Sequence, residues 1–388
     1  MASAPNSRVG AIRVEDPQLL RPRVLTSASL AIAAVAVAAL VAAGCTPGLS
    51  AATTGRSHHT RAHHKARDRH HHKKSHRRPG RHQAGREVSA QYRLIIEPNA
   101  GFSVVYHLIK AARHSIDITM YEFADTTAEH DLAAAAKRGV LVRVILDQRE
   151  TSVDSPAYRY FKSHGVKVVW SWSRYQYTHQ KTLTFDNSTA VIETANLTQS
   201  YYKTSRDFLV VDTNRTDVAA IVRVFNADFA HRPVMPGNGR DLVWSPTSSQ
   251  RQILGLINGA KKSLRIYSEE MEDPTVVTDL ISAARRGVDV SVCGENLYGE
   301  YSSTFDRMAR AGVHIAYYSS STGFYIHGKV IEADYGTSQA RVFIGSENFS
   351  STSLNRNREL GLIISTPSVL SAIAGVFARD FSRGTHVR

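Results

Sequence analysis

The sequence has very few cysteines for its length. Only Cys45 and Cys293 occur among the 388 residues, one in an apolar segment near the start and one deep in the chain. A disulfide framework is therefore not indicated. A chain of this length suffices for two ordinary domains or for one large core built from two fused halves. The hydrophobic content of 42% and the charged content of 21% are typical of a globular protein, whose stability must come from that core.

Acidic residues are almost absent from one tract, and this explains why the whole chain is basic. The formal net charge is +14. Between Arg56 and Arg86, 11 Lys or Arg residues accompany a single acid, Asp68. Residues 87–388 contain 33 Lys or Arg and 31 Asp or Glu residues, a net charge of +2. The body of the protein is nearly neutral, so its composition does not by itself indicate a nucleic-acid-binding domain.

The same tract has almost no aliphatic residues but holds nine of the 18 histidines. Such a composition cannot bury a core, so we predict a basic, disordered linker over residues 46–89. The linker has the charge to contact anionic lipid, wall polymers or nucleic acid, and its histidines suit divalent transition metals. A spacer that its charges merely keep extended is the alternative.

A long apolar run extends from Val24 to Gly44 and follows four arginines. This pattern predicts an export segment or an N-terminal anchor, since a spanning helix needs ~20 apolar residues. The end of the run resembles a bacterial lipoprotein processing site, which makes Cys45 a candidate for lipidation. Simple cleavage, an uncleaved anchor and a buried core helix are the alternatives. We predict that residues 1–45 direct export, and that the protein is secreted or anchored to the outer face of the cytoplasmic membrane.

Helical and extended patterns alternate from Tyr92 onward. Residues 92–98, 115–121 and 140–146 have strand patterns, whereas residues 102–113 and 131–138 have helical spacing. Gly139 suits the C-terminal end of the second helix. This alternation predicts layered α/β structure with mostly parallel or mixed sheets flanked by helices.

Two stretches repeat one pattern 148 residues apart. Residues 177–186 read YTHQKTLTFD and residues 325–334 read YIHGKVIEAD. Further matches stay in register at this offset, and at an offset of 152 beyond a short insertion: Glu122 and Glu270, Gly139 and Gly287, Asn196 and Asn348, Arg206 and Arg358, Phe225–Phe229 and Phe377–Phe381. We infer an internal duplication with a first half at residues 90–236 and a second half at residues 237–388, related by a pseudo-twofold axis.

Each half presents the same order of candidate functional residues. They are His179, Lys181, Asp186, Asn196 and Asp207 in the first half, and His327, Lys329, Asp334, Asn348 and Glu359 in the second. If each motif is a strand, alternation places its His and Lys on one face. Two related halves would then bring two imidazoles, two ammonium groups and two carboxamides to one site.

This set of groups suits a phosphodiester. Both lysines and both asparagines are donors for the non-bridging phosphate oxygens. One neutral His attacks phosphorus while the other, protonated, donates to the leaving oxygen. Asp207 and Glu359 suit the orientation of the imidazole rings. Neither a cofactor nor a metal is required, and the Lys beside each His would repel a zinc ion.

The paired H-x-K-x4-D motifs, each followed by an Asn and an acid, resemble those of the phospholipase D superfamily. The resemblance covers roughly residues 92–385 and implies two halves around one active site, the phospholipase D/nuclease fold. It also implies a phosphodiesterase with a covalent phosphohistidine, with His179 as nucleophile and His327 as general acid and base. Asp186 and Asp334 would mostly be supporting. The small residues before the Asn are intact at Gly345-Ser346, but the first half has Glu193-Thr194.

The superfamily includes phospholipases, phosphatidyltransferases such as cardiolipin synthases, and nucleases. Our first hypothesis is an exported phospholipase D that hydrolyses the headgroup bond of phospholipids at a membrane surface. Aromatic residues near both motifs suit such an interface. The alternatives are an exported endonuclease that cleaves DNA or RNA, a cardiolipin synthase-like phosphatidyltransferase, and a non-enzymatic envelope-tethering protein.

Overall fold

The computed structural model describes residues 91–388. The predicted export segment, the basic linker and Cys45 lie outside the described residues, so those assignments stay predictions. Within the described range, no helix combines the length and the apolar character needed to cross a membrane.

The first half alternates strands and helices as the sequence pattern predicts. Its elements are β1 (Tyr92–Glu97), α1 (Ser103–Ala111), β2 (Ser115–Met120), β3 (Phe123–Ala124), α2 (Thr126–Lys137), β4 (Leu141–Leu146), α3 (Thr151–Ser163), β5 (Lys167–Trp170), β6 (Thr182–Phe185), β7 (Thr189–Glu193), β8 (Leu197–Thr198), β9 (Ser205–Asp212) and α4 (Arg215–Phe229). Helix α2 begins earlier than the spacing predicts, because the Asp125 side chain caps it by accepting the Ala128 N–H at 3.0 Å. It ends before Gly139, whose φ of +92° suits glycine.

The second half repeats this plan. Its elements are β10 (Leu242–Ser245), α5 (Ser249–Gly259), β11 (Ser263–Ser268), α6 (Pro274–Arg285), β12 (Asp289–Glu295), α7 (Ser302–Arg310), β13 (His314–Tyr318), β14 (Tyr325–Ile326), β15 (Val330–Ala333), β16 (Arg341–Gly345), α8 (Ser351–Asn355), β17 (Glu359–Ile364), α9 (Pro367–Arg383) and β18 (Thr385–His386).

The two main sheets have one strand order. The first sheet runs β1-β9-β7-β6-β2-β4-β5, and the second runs β10-β17-β16-β15-β11-β12-β13 with β18 at its edge. In both, three strands (β2-β4-β5 and β11-β12-β13) pair in parallel and the other neighbours in these orders are antiparallel. Both sheets are therefore mixed, and the predicted duplication of an α/β unit is confirmed.

The sheets enclose a shared central core. Helices α1, α2 and α3 pack on the outer face of the first sheet, and α5, α6 and α7 pack on the outer face of the second. Between the sheets, α4 and α9 join a cluster to which both halves contribute, such as Ile192 and Phe208 from the first and Ile344 and Leu362 from the second. Burial of this apolar surface stabilises the association of the two halves, because the inner face of each sheet is covered only when the other half is present.

The motif segments are shorter as strands than the sequence predicts. The main-sheet strands cover only Thr182–Phe185 and Val330–Ala333, and the two-residue β14 precedes His327, so each His and Lys lies before the main-sheet strand of its motif. The reason is that the backbone here pairs with the other half. Thr178 forms a parallel bridge with Arg358, and β14 pairs in parallel with the start of β9. Each motif segment therefore pairs with the other half at, or one residue before, the strand that carries the orienting acid. That strand is β17 with Glu359 for the first motif, and β9 with Asp207 for the second.

Candidate active site

The histidine and the acid of each pair come from different halves. His179 Nδ1 lies 2.9 Å from Glu359 Oε2, and His327 Nδ1 lies 2.8 Å from Asp207 Oδ1. Both imidazoles are largely buried, with 12% of each side chain exposed. The pairing of each motif segment with the opposite half places these partners together, so one site requires both halves.

Hydroxyl groups hold the two acids in place. Asp207 accepts from Thr194 Oγ1 at 2.7 Å and from Ser205 Oγ at 2.6 Å. Glu359 accepts from the hydroxyls of Ser346 and Ser353, each at 2.7 Å. Thr194 and Ser346 are equivalent positions in the repeat. These small hydroxyl residues before each Asn therefore orient the carboxylate that contacts the imidazole.

The charge of these acids determines which tautomer each histidine adopts. Burial opposes ionisation, but the His327 and Lys329 charges outweigh it and lower the pKa of Asp207 to about 2. Burial is likewise outweighed at Glu359, whose pKa is lowered by His179 and Lys181. An ionised carboxylate only accepts hydrogen bonds, so Nδ1 of each ring must carry the donated proton. Nε2 of each imidazole is left for chemistry.

The two motif lysines converge beside the histidines. Both are fully buried, and each donates to the carbonyl of its own motif histidine, Lys181 to His179 at 2.7 Å and Lys329 to His327 at 2.5 Å. An ammonium group has three donors, so two remain on Lys181, whereas Lys329 also lies 2.6 Å from Glu269 Oε2. The Lys329 charge also lowers the pKa of both His179 and Lys181, which places the two motifs in one electrostatic environment.

Burial gives His179 and Lys181 unusual protonation properties. Loss of solvent lowers the pKa of His179 to about 4, although the Glu359 carboxylate acts in the opposite direction. Burial and the neighbouring Lys329 lower the pKa of Lys181 to about 7. His179 is therefore a neutral imidazole near pH 7, which is the form that has a free lone pair on Nε2.

The two asparagines contact neighbours of these groups, Asn196 through Glu122 and Asn348 through Ser353, which donates to Glu359. Asn196 donates through Nδ2 to Glu122 at 3.1 Å, and its buried Oδ1 accepts no hydrogen bond from the described residues. Asn348 is buried, and its Oδ1 also has no partner in this part of the chain. Their role in binding phosphate stays a prediction.

The motif aspartates were predicted as mostly supporting members of the catalytic set, and each lies among backbone N–H groups away from the imidazoles. Asp186 accepts the backbone N–H groups of residues 113–115, with distances of 2.7 to 3.2 Å. Asp334 accepts those of residues 261–263 in the same way, at 2.6 to 3.2 Å. Both have positive φ, 51° and 54°, a conformation that Asp and Asn tolerate better than most residues. A whole strand, β6 or β15, lies between the Lys and the Asp of each motif. The Asp therefore lies at the opposite end of that strand from the Lys, where its carboxylate binds the backbone N–H groups at the start of β2 or β11.

The departure at Glu193 has a structural counterpart in the second half. Glu193 and Glu347 are both fully buried, and none of their carboxylate oxygens has a hydrogen-bond partner in residues 91–388. Burial raises the pKa of each well above its usual range. In the repeat, Glu193 aligns with Gly345, and Glu347 aligns with Ala195. The buried acid of the second half is therefore two positions further along the chain than that of the first half. A Cβ on Gly345 would lie 2.4 Å from the Glu347 carboxylate, so each half has room for one buried acid here.

Sequence reasoning missed several residues that build this site. Arg206 pairs with Asp380 (Nε to Oδ2, 2.7 Å), and Arg358 pairs with Asp228 (Nε to Oδ2, 2.9 Å), so buried ion pairs also cross between the halves. Arg206 matches Arg358 in the repeat, and Asp228 matches Asp380. These matches in the sequence could have identified the four residues as structurally important. Glu269 was also missed. Its Oε2 lies 2.6 Å from Lys329 Nζ, and its repeat partner is a tyrosine, so no match marks it.

A family profile matches both halves of the chain. The profile described as "Cardiolipin synthase, PLD-like domain" covers residues 105–230 and residues 253–381. The chain belongs to the phospholipase D superfamily. The resemblance predicted from the paired motifs is thereby confirmed, and each match falls within one of the two halves. Among curated proteins, no sequence matches the chain significantly.

Solved structures with this fold include enzymes of several kinds. Polyphosphate kinase from Porphyromonas gingivalis superposes with a TM-score of 0.61 at 17% identity, over 74% of this chain and 46% of that one. Phosphatidylserine synthase from Haemophilus influenzae Rd KW20 superposes with a TM-score of 0.60 at 13% identity, over 76% of this chain and 87% of that one. Nuc from Salmonella typhimurium, a phospholipase D family member, gives a TM-score of 0.34 at 24% identity, over 38% and 96%. The first two similarities establish a common fold. Membership of the superfamily places the chain in a group of enzymes that act on phosphodiesters.

Proposed function

We propose that this member of the phospholipase D superfamily hydrolyses the headgroup phosphodiester of phospholipids through a covalent phosphohistidine. The crossed histidine–acid pairs carry the proposal. They fix Nδ1 of both rings as donors and leave both Nε2 atoms for chemistry, in a site where each motif lysine is buried against the backbone carbonyl of its histidine.

In the first step, neutral His179 is the nucleophile. Its Nε2 lone pair forms a bond to phosphorus while the bond from phosphorus to the headgroup oxygen breaks. His327 gives its Nε2 proton to that oxygen, so the headgroup leaves as an alcohol and not as an alkoxide. Lys181 and Lys329 donate to the non-bridging oxygens, where negative charge accumulates. Glu359 stabilises the positive charge that His179 gains.

In the second step, water replaces the headgroup. His327, now neutral, takes a proton from water through Nε2, and the water oxygen attacks phosphorus as the bond to His179 breaks. The product is a phosphate monoester on the lipid, and both histidines return to their starting forms. If an alcohol takes the place of water, the same adduct leads to phosphatidyl transfer, the alternative reaction.

The acidic surroundings of the lysines favour a phospholipid over nucleic acid. Glu269 lies 2.6 Å from Lys329 Nζ, and both Glu269 and Glu122 act electrostatically on Lys181. Burial and Glu269 raise the pKa of the neighbouring Glu270 to about 8, so Glu270 adds little charge near pH 7. A nucleic acid presents further phosphates beside the scissile one, and these carboxylates would repel them. A phospholipid presents a single phosphate, and a zwitterionic headgroup adds an ammonium that the same carboxylates attract.

The decisive experiment compares substrates under one condition. Full-length protein would be given phosphatidylcholine vesicles, DNA or RNA in the presence of EDTA. We expect choline release without nucleic-acid cleavage, and loss of choline release in His179→Ala. His164→Ala, a change at an exposed histidine, is the matched control and should keep full activity. Cleavage of nucleic acid alone would favour the nuclease, and loss of activity on adding EDTA would contradict a metal-free reaction.

The covalent intermediate gives a second test of the same proposal. We expect His327→Ala to form an acid-labile phosphoryl adduct slowly and to resolve it even more slowly, since it lacks both the acid and the base. His179→Ala should form none. Tryptic peptides from quenched reactions, analysed by mass spectrometry, would locate the adduct. An adduct on any residue other than His179 would overturn the assignment of the nucleophile.

Export, lipidation of Cys45 and contact of the linker with anionic lipid or wall polymers complete the proposal. They rest on the sequence of residues 1–89 and would place the active site at a membrane surface. A Cys45→Ala variant that stays bound to membranes in the native host would argue against a lipid anchor.

A further inference from the structure

The two halves differ at one position that faces the catalytic imidazoles. Tyr121 follows β2, and its repeat partner Glu269 follows the equivalent strand β11. The Tyr121 ring packs edge-on against the His179 ring, with 4.5 Å between ring centroids, and Lys181 Nζ lies 4.9 Å from the centre of the Tyr121 ring. His179 therefore has an uncharged aromatic neighbour on this side.

Glu269 occupies the corresponding place in the second half and carries a charge. Its Oε2 lies 2.6 Å from Lys329 Nζ and 3.5 Å from His327 Nε2. Tyr325 fixes the carboxylate by donating its hydroxyl to Oε1 at 2.7 Å. Burial opposes ionisation of Glu269, but the His327 and Lys329 charges outweigh it and lower its pKa. Position 121/269 thus gives a ring to one imidazole and a carboxylate to the other.

The consequence is that His327 lies between carboxylates at both of its nitrogens. Asp207 is at Nδ1 and Glu269 is at Nε2. A neutral imidazole carries one N–H, and only the imidazolium carries protons toward both acids. Of the other groups that face His327, Glu122 adds negative charge, Lys329 opposes it, and Tyr325 is neutral. His179 has a single carboxylate at Nδ1, so one N–H satisfies it.

We propose that Glu269 is a positioning residue that holds His327 as the imidazolium before the first step, and thereby assigns the acid role to the second half and the nucleophile role to the first. This inference rests on the proposed phosphohistidine mechanism. In a duplicated site the two histidines start with equivalent partners, and position 121/269 is where the charge next to Nε2 differs. On binding, the leaving-group oxygen takes the place of Glu269 at Nε2 and receives the proton.

The first test measures protonation directly and needs no substrate. Full-length protein with isotope-labelled histidine would be titrated by NMR, and the His327 ring would be assigned by comparison with His327→Asn. In Glu269→Gln, which keeps the shape but removes the charge, the ratio of imidazolium to neutral His327 should fall at least about tenfold at a given pH. Glu272→Gln removes an exposed acid from the same loop and should change the ratio less than about threefold. An equal ratio in wild type and Glu269→Gln would overturn the inference.

The second test reads the chemistry. The rate of adduct formation on phosphatidylcholine should lose its alkaline limb at a lower pH in Glu269→Gln than in wild type, because Glu269 supports the charge of His327 and also that of Lys181. Glu269→Asp should restore most of the difference, and the NMR ratio shows the part that belongs to His327. A uniform loss of rate at every pH would indicate a structural role only and would contradict the inference. If wild-type protein forms no phosphohistidine on phospholipid or nucleic acid, the proposed function fails, while the NMR comparison still decides the role of Glu269.

Discussion

Each motif imidazole has one nitrogen held by a carboxylate, and the proposed chemistry uses the other. An ionised carboxylate from the other half holds Nδ1, and this leaves Nε2 for that chemistry. The environments then separate the two rings, since His179 is desolvated beside an aromatic ring whereas His327 lies between two acids. Groups of the same type acquire different protonation states in this way, which acid–base catalysis at one pH requires.

The pH dependence of catalysis should reflect these environments. The attacking form of His179 is neutral, and burial lowers its pKa to about 4, so activity should be lost as the pH falls through about 4. The charged form of Lys181 binds phosphate oxygens, and its pKa of about 7 predicts loss as the pH rises through about 7. The measurement is kcat/KM for a water-soluble short-chain phospholipid from pH 3 to 9. Full recovery on return to pH 6 would exclude unfolding, and an acid limb near the ordinary value for histidine would contradict desolvation of His179.

The crossed pairs predict that each acid acts on the histidine of the opposite half. Glu359→Gln should slow adduct formation by His179 by at least ~100-fold. The amide no longer fixes the proton on Nδ1 of His179, and it lacks the negative charge that stabilises the ring when it becomes positive. Asp207→Asn should instead impair His327, which acts in both steps, and should therefore slow both the formation and the resolution of the adduct. Rapid-quench measurement of both steps separates the two effects. If Asp207→Asn slowed only formation while Glu359→Gln slowed both steps, the crossed arrangement would be wrong.

At the scale of strands and helices, two buried ion pairs hold the halves together. Arg206 at the start of β9 pairs with Asp380 in α9, which also accepts the Tyr267 hydroxyl at 2.7 Å. Arg358, just before β17, pairs with Asp228 in α4. Each arginine is next to an orienting acid in sequence, so the ion pair fixes the strand that positions the acid.

Breaking one of these pairs should be costly. Arg206→Met leaves the Asp380 carboxylate buried without its partner, and we expect the free energy of unfolding to fall by about 3–5 kcal/mol. The double variant Arg206→Met/Asp380→Asn removes both charges and should lose much less than the sum of the two single changes. Urea unfolding of the three variants and the wild type provides the comparison. Additive losses would show that the two side chains are not coupled.

The sequence predicts much of this site, and its limits have physical causes. The repeat, the α/β class and the set of His, Lys, Asn and acid residues follow from period and spacing. The crossing of the pairs does not, because the Asn-to-acid spacing is 11 in both halves and fits pairing within a half equally well. The spacing did not show that the motif aspartates lie away from the imidazoles, which they do because a strand of four residues separates each from its lysine. Glu269 was missed because a repeat shows what the halves share and not where they differ.

At the scale of the whole molecule, the two halves of the duplicated chain form one candidate active site together and not one site each. The acids that orient His179 and His327 are exchanged, and the central core takes side chains from both sheets. Neither half has a complete set of groups, so the chemistry depends on the intact body over residues 91–388. In the proposed reaction a symmetric fold thereby supports asymmetric chemistry, with one histidine attacking and the other exchanging protons.

This architecture predicts both the stoichiometry of the adduct and a failure of complementation. With His327→Ala as a trap, labelling by substrate should reach a limit of one phosphoryl group per chain, because one nucleophile serves the single site. A mixture of His179→Ala and His327→Ala proteins should stay inactive, since every chain uses both of its own histidines. Mass spectrometry of intact protein measures the first outcome, and choline release measures the second. Two phosphoryl groups per chain, or recovery of activity in the mixture, would mean that the halves act as separate sites or are exchanged between chains.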